Sequence, residues 1–123
     1  MVNITNTFIA SLKSDALTYT GTQMTHAAFG SGTTTPSSSD TTLEGEFSRL
    51  AATEVTVAAT KVTMSGFLGS GTANGNTIAK VGSFNSGTVG DMATQFLLTS
   101  TIAKTTDKEV WVDQDITITV TEQ

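Results

Sequence analysis

Apolar residues along the chain follow two periods. Near the N-terminus Phe8, Ile9, Leu12, Ala16 and Tyr19 recur at helical spacings, which predicts a helix with one apolar face, and Thr5 or Asn6 is placed to cap it. From Gln23 onward the period is two. Strands are expected over Gln23–Phe29, Arg49–Val57, Lys61–Leu68, Thr77–Asn85, Met92–Ser100 and Val110–Thr121. The last is the cleanest. Val110, Val112, Gln114, Ile116, Ile118 and Val120 alternate with Trp111, Asp113, Asp115, Thr117, Thr119 and Thr121, so one face meets a core and the other meets solvent or a partner. Gln114 interrupts the apolar face and requires hydrogen-bond partners if buried.

The connections carry turn chemistry. Gly30–Ser39 is a loop that holds the sole proline, Pro36. Asp40 is a good N-cap, and Thr41 with Glu44 has capping-box spacing, which predicts a turn or two of helix ending near Glu46. Ala58–Thr60 fits a tight hairpin, and Asn74-Gly75 is a strong turn dipeptide. The elements sum to a mainly β fold, an antiparallel β-sandwich or partly open barrel of about six strands. It has a short N-terminal helix and one short helix in the first long loop. A chain of 123 residues has room for one compact domain, with a helix or arm over residues 1–20 and the β domain over 21–123.

Composition narrows the chemistry. Threonine (26) and serine (12) supply 38 small hydroxyls, whereas Lys and Arg number 6 and Asp and Glu 11, for a net charge of -5. Nucleic acid is not an expected partner, because its binding needs a basic face that releases counterions. The absence of cysteine removes disulfides, thiolate zinc sites and thiol nucleophiles. No apolar run approaches the roughly 18 residues of a membrane span, and no basic-then-apolar leader is visible, so no membrane association and a cytoplasmic origin are expected. Asn3-Ile4-Thr5 matches the N-glycosylation pattern, a match that a Thr-rich chain produces by chance.

No residue set is expected to be catalytic, to bind a cofactor or to hold a metal. Asp113, Asp115 and Glu109 share one strand face, but calcium needs six to eight gathered oxygens, and such charges ordinarily guard a sheet edge. His26, the only histidine, is expected to be a packed, hydrogen-bonded side chain, since no G-x-S-x-G elbow accompanies it. Gly69-x-Gly71-x-x-Asn74-Gly75 misses the dinucleotide fingerprint by one position and reads as a turn. Trp111 stands on the polar face of the last strand. Three covers are open for it: the N-terminal helix, whose Phe8 and Leu12 need a partner; a second subunit; or a sugar ring. Phe8, Leu12 and Trp111 are therefore the candidate interface residues.

Four stretches carry a resemblance. Thr25-His26-Ala27-Ala28-Phe29-Gly30-Ser31-Gly32-Thr33 with Pro36, Asp40-Thr41-Thr42-Leu43-Glu44-Gly45-Glu46-Phe47-Ser48-Arg49, Ala73-Asn74-Gly75-Asn76-Thr77-Ile78-Ala79-Lys80-Val81-Gly82-Ser83-Phe84-Asn85, and Ile102-Ala103-Lys104-Thr105-Thr106-Asp107-Lys108-Glu109 resemble, in order and spacing, a family of small structural proteins of tailed bacteriophages. Lys80 stands where that family usually has Glu, and Ser83 where it has an aliphatic residue; Ser83 suggests a less buried fourth strand or a different neighbour for it. The resemblance implies parts of tail fibres, baseplates, collars or head decorations, forming oligomers, often trimers, on a virion. It brings no catalytic residues. A chain ending at Gln123 fits a decoration, collar or adaptor subunit better than a full tail fibre. The function expected is thus a non-enzymatic virion component that partners itself and other virion proteins. The alternative is a carbohydrate-binding module or adhesin in host-surface attachment.

Overall fold

A computed structural model describes residues 5–119. One N-terminal helix, α1 (Asn6–Gln23), precedes seven strands: β1 (His26–Gly30), β2 (Glu46–Ala51), β3 (Glu54–Val57), β4 (Lys61–Leu68), β5 (Thr77–Phe84), β6 (Met92–Ala103) and β7 (Val110–Thr117). They form two antiparallel sheets, ordered β2-β1-β5-β6 and β3-β4-β7. The inner faces share one apolar core. Ala27 and Phe29 of β1 and Ile78 and Val81 of β5 meet Val62, Met64 and Leu68 of β4 and Val110 of β7, with Leu17 of α1 completing it.

The period-two reading of β4 and β7 holds. Val62, Met64, Gly66 and Leu68 are buried in alternation with half-buried or exposed residues, and β7 follows the same rhythm to Thr117. Val120 and Thr121 of the expected last strand, and residues 3 and 4 of the glycosylation pattern, lie outside the described residues. Gln114 finds the partners its burial requires. Its Nε2 donates to the Gly82 carbonyl at 3.0 Å, and its Oε1 accepts from Thr94 Oγ1 at 2.8 Å. Thr94 is in turn bonded to Ser83 Oγ, so a short polar chain ties β7 of one sheet to β5 and β6 of the other. Of the two expectations for Ser83, a less buried strand does not hold, since the residue is fully buried; a different neighbour does, since its hydroxyl meets that of Thr94.

Three further expectations are corrected. Arg49–Val57 is not one strand. Ala52 N donates to Thr25 O in one sheet, and the next residue, Thr53, donates to Ser65 O in the other, both at 2.9 Å. The chain changes sheets between adjacent residues, and the inward parity changes with it: Leu50 and Ala52 pack on the core from one sheet, whereas Val55 and Val57 line up with Met64 and Val62 in the other. This division makes seven strands of the expected six. The second correction concerns the short helix after Asp40, which is absent. Asp40 Oδ2 turns back to accept from Ser37 N at 2.9 Å, and the Glu44 carboxylate accepts from Thr34 and Lys80 instead of closing a capping box. A turn through Gly45, whose φ is +67°, then leads into β2.

Third, α1 buries a different face from the one its spacing predicts. Thr5 caps it as expected, accepting from Phe8 N at 3.2 Å. The residue it buries is Leu17, whereas Phe8, Leu12 and Tyr19 point outward. The reason lies in β3. Gly21 lets the helix approach Val55 and Val57 so closely that a Cβ there would stand 2.9 Å from a Val57 methyl. Ala16 is half-buried on the same side.

Gly66 marks the closest approach of the two sheets, since a Cβ there would lie 2.6 Å from the Ala27 Cβ. Both positions are buried, and Ala27 has no flexible end that could move aside. Gly66→Ala should therefore overpack the core and destabilise the fold by about 1–3 kcal/mol. Thermal or urea unfolding followed by circular dichroism measures this, and an unchanged midpoint would contradict the close packing.

Candidate interaction surfaces

The outer face of the β2-β1-β5-β6 sheet is closed by the loop of residues 31–45. Leu43 is buried there with Ala28 and Phe84, and half-buried Met92 packs against them. Arg49 lies over the Phe84 ring at 3.5 Å and forks onto both Glu46 oxygens at 2.7 Å, while its remaining amino group donates to the Ser86 and Val89 carbonyls. Lys80 is fully buried, and its Nζ donates to Glu44 Oε2 at 2.9 Å. That ammonium, with the hydroxyl and backbone N–H of Thr34, holds the Glu44 carboxyl below its ordinary range. The Ser37 backbone N–H, and next the Gln95 amide, do the same for Asp40. In the segment from Asp40 to Arg49, Asp40 and Glu44 fasten the loop and Leu43 packs beneath it, while Arg49, held by Glu46, covers the Phe84 ring and binds the carbonyls of Ser86 and Val89. Glu44 was legible in the sequence only as a helix cap; its role depends on a lysine 36 positions away.

A cleft of about 390 Å³ opens where this loop meets the start of β6, lined by Pro36, Ser37, Ser38, Asp40 and residues 92–95. Gln95 Nε2 donates to Asp40 Oδ2 at 2.7 Å there, whereas the buried Gln95 Oε1 has no hydrogen-bond partner among the described residues. His26 is held by Thr25 Oγ1, 2.9 Å from its Nδ1, as expected of a packed side chain. In the Asn74-Gly75 turn, Gly75 has a φ of +87° and Asn74 Oδ1 accepts from the buried Lys104 Nζ at 2.8 Å, which makes the turn an anchor for that lysine.

Two exposed surfaces contain all three candidate interface residues. The first is on α1, where Phe8, Leu12 and Tyr19 form a row and are 57%, 48% and 67% exposed. The spacing of four and seven residues puts them on one side of the helix, opposite buried Leu17. The second is the outer face of the β3-β4-β7 sheet. Trp111 there is 64% exposed and rests on Phe67, its cross-strand neighbour, with ring centroids 4.2 Å apart. Beside this pair runs a polar ladder. Ser65 Oγ donates to Asp113 Oδ1, and Thr63 Oγ1 donates to Asp115 Oδ1, each at 2.7 Å. Lys61 Nζ lies 3.5 Å from Asp115 Oδ2. The Thr63 hydroxyl is the main influence that lowers the Asp115 pKa.

The structure does not bring Phe8 and Leu12 to Trp111. Residues 10–17 of the helix border the β3–β4 hairpin around Val57–Ala59, whereas Trp111 pairs with Phe67 at the far end of β4. Six residue steps from Lys61 to Phe67 separate the two ends by about 20 Å. Of the three covers open for Trp111, the N-terminal helix is therefore not the one.

No family model, curated protein or solved structure matches the chain.

Loss of the Glu44–Lys80 pair should be visible in pH-dependent stability. A carboxyl whose pKa lies lower in the folded chain than its ordinary 4.5 stabilises above that value, and the contribution fades as pH falls through the folded pKa. Glu44→Gln is expected to lower the thermal midpoint at neutral pH and to flatten its decline between about pH 5 and 3. Thermal melts across that range check both parts; parallel curves for the two proteins would show that Glu44 contributes nothing through its charge.

Proposed function

We propose that this chain is a non-enzymatic structural component of a tailed-phage virion, an oligomeric accessory subunit that decorates the capsid or is attached at the neck or tail. The observation that carries the reading is the row of Phe8, Leu12 and Tyr19, held outward by a helix whose other side is docked on the β domain. Large apolar side chains aligned on a rigid element are a burden in water. Burying one in a contact is worth about 1.5–3 kcal/mol, so a row of three can sustain an interface with a second copy or a neighbouring virion protein.

Three further features support it. The four sequence stretches that resemble phage structural proteins are used here for packing and turns, the work a scaffold requires. The two sheets close into a β-sandwich whose surface is rich in hydroxyls. Two of the charged pairs, Lys80 with Glu44 and Arg49 with Glu46, hold loops to the sheet.

The test is assembly. Light scattering after size exclusion should find a homo-oligomer, and purified virions from the genome encoding the chain should contain it at fixed stoichiometry. Hundreds of copies would assign it to the capsid and a few to the neck or tail. The double variant Phe8→Glu, Leu12→Glu should keep its circular dichroism spectrum and thermal midpoint, because both side chains are exposed, while losing self-association. A monomeric wild-type chain that also fails to bind capsids or tails would overturn the reading.

A further inference from the structure

Trp111 and the helix row differ in chemistry as well as in place. The helix row presents three large apolar side chains. Around Trp111 the apolar area is limited to one indole resting on one phenyl ring, and what continues from it along the sheet face is hydroxyl or charged: Ser65, Thr63, Asp113, Asp115 and Lys61, with Thr56 and Glu54 beyond them on β3. Such a face is poorly suited to a protein contact, whose centre is depleted in charge. It is well suited to a ligand that is itself half apolar and half hydroxyl.

We propose that the outer face of the β3-β4-β7 sheet, centred on Trp111 and Phe67, binds neutral glycans. A pyranose ring offers a face of C–H groups that stacks on an indole and an equator of hydroxyls that hydrogen-bond to acceptors beside it. The geometry provides both. Phe67 supports the indole from one side at 4.2 Å, which fixes the platform. Asp113 follows on the same face of β7, about 6.5–7 Å along the strand, a spacing that places it at the rim of a ring stacked on Trp111. Its Oδ1 is occupied by Ser65 Oγ, which orients the carboxylate and leaves Oδ2 to accept from a sugar hydroxyl. Asp115, oriented by Thr63 and flanked by Lys61, extends the ladder for a second residue of an oligosaccharide. β7 is an edge strand, so the platform is open along one side and a chain of sugars can run past it.

Charge decides the class. Asp113, Asp115 and Glu54 against one lysine on this face, in a chain of net charge -5, repel sialylated, sulfated or phosphorylated glycans. The ligand is a neutral hexose or N-acetylhexosamine oligomer. This inference is independent of the virion reading, since it uses neither the helix row nor self-association.

Trp111 is the only tryptophan in the chain, so its fluorescence reports on this face alone. The full-length protein is titrated with maltotetraose, cellotetraose, lacto-N-tetraose and the tetramer of N-acetylglucosamine, with sialyllactose as the anionic control, and screened on a glycan array. A saturable change in emission is expected with at least one neutral sugar and none with sialyllactose. By calorimetry, Trp111→Ala and Asp113→Asn should each weaken that binding at least about tenfold. Phe8→Glu should leave it unchanged, and Trp111→Ala, which removes an exposed ring and its contact with Phe67, should keep the circular dichroism spectrum. The proposal is overturned if no neutral glycan binds, if only anionic glycans bind, or if binding survives Trp111→Ala. It is also overturned if Trp111→Ala abolishes self-association, which would make the face a subunit contact. Failure here leaves the assembly test untouched, and a monomer that binds sugar would fail that test while passing this one.

Discussion

The buried strand β5 sets the terms for the rest of the chain. From Ile78 to Phe84 every residue is buried, which requires cover on both faces of a sheet whose outer side would ordinarily meet water. On the inner face the cover is the second sheet, through the apolar core and the Ser83–Thr94–Gln114 chain. On the outer face it is the loop of residues 31–45. That loop has no regular structure of its own, so it is held by side chains: Leu43 as an apolar plug, Glu44 on Lys80, and Asp40 on Ser37 and Gln95, while beside it Arg49 covers the Phe84 ring. A lysine in the centre of a sheet is tolerable only because a carboxylate reaches it, and the carboxylate is available only because the segment that carries it does not coil into a helix.

The same need for cover explains α1. Val55 and Val57 point to the inner side of β3, and the helix docks there with Leu17 and the close approach at Gly21, covering the two valines only in part. Having only one side to offer, it leaves Phe8, Leu12 and Tyr19 outside. The exposed row is thus a consequence of where the helix docks. Trp111 has a different origin: it occupies an outward position of a strand that obeys strict alternation, and Phe67 opposite gives it a second ring to rest on. One surface is apolar and mounted on a helix; the other is aromatic and set in a polar ladder. That contrast is the physical basis for assigning them different partners.

The β6 edge illustrates how the fold limits unwanted association. Its sequence carries no charge and no proline, the usual guards of an edge strand. Its pairing with β5 shifts register twice, between Ile78 and Lys80 and between Ser83 and Phe84. These bulges interrupt the straight ladder that another strand would need, so geometry takes the part that charge takes at Asp113 and Asp115 on β7.

Much of this was local information. Alternation alone identified β4 and β7 and their inward residues, turn chemistry identified the hairpin at Ala58–Thr60 and the Asn74-Gly75 turn, and Thr5 marked the start of the helix. The demand of Gln114 for partners was readable too, although not which partners. What local pattern could not decide was every choice between competing surfaces. Alternation is equally satisfied on either sheet, so the change of parity between Ala52 and Val55 did not by itself say that the chain moves to the other sheet there. A helix with apolar residues on more than one side can dock on any of them, and Val55, Val57 and Gly21 chose Leu17. A capping box is worth about 1 kcal/mol, less than leaving a buried ammonium without its carboxylate, so Glu44 went to Lys80. Periods and turns depend on neighbours in the chain, which a sequence displays directly. Sheet membership, helix rotation and the pairing of charges depend on which surfaces remain uncovered once the chain has closed on itself, and only the tertiary structure contains that.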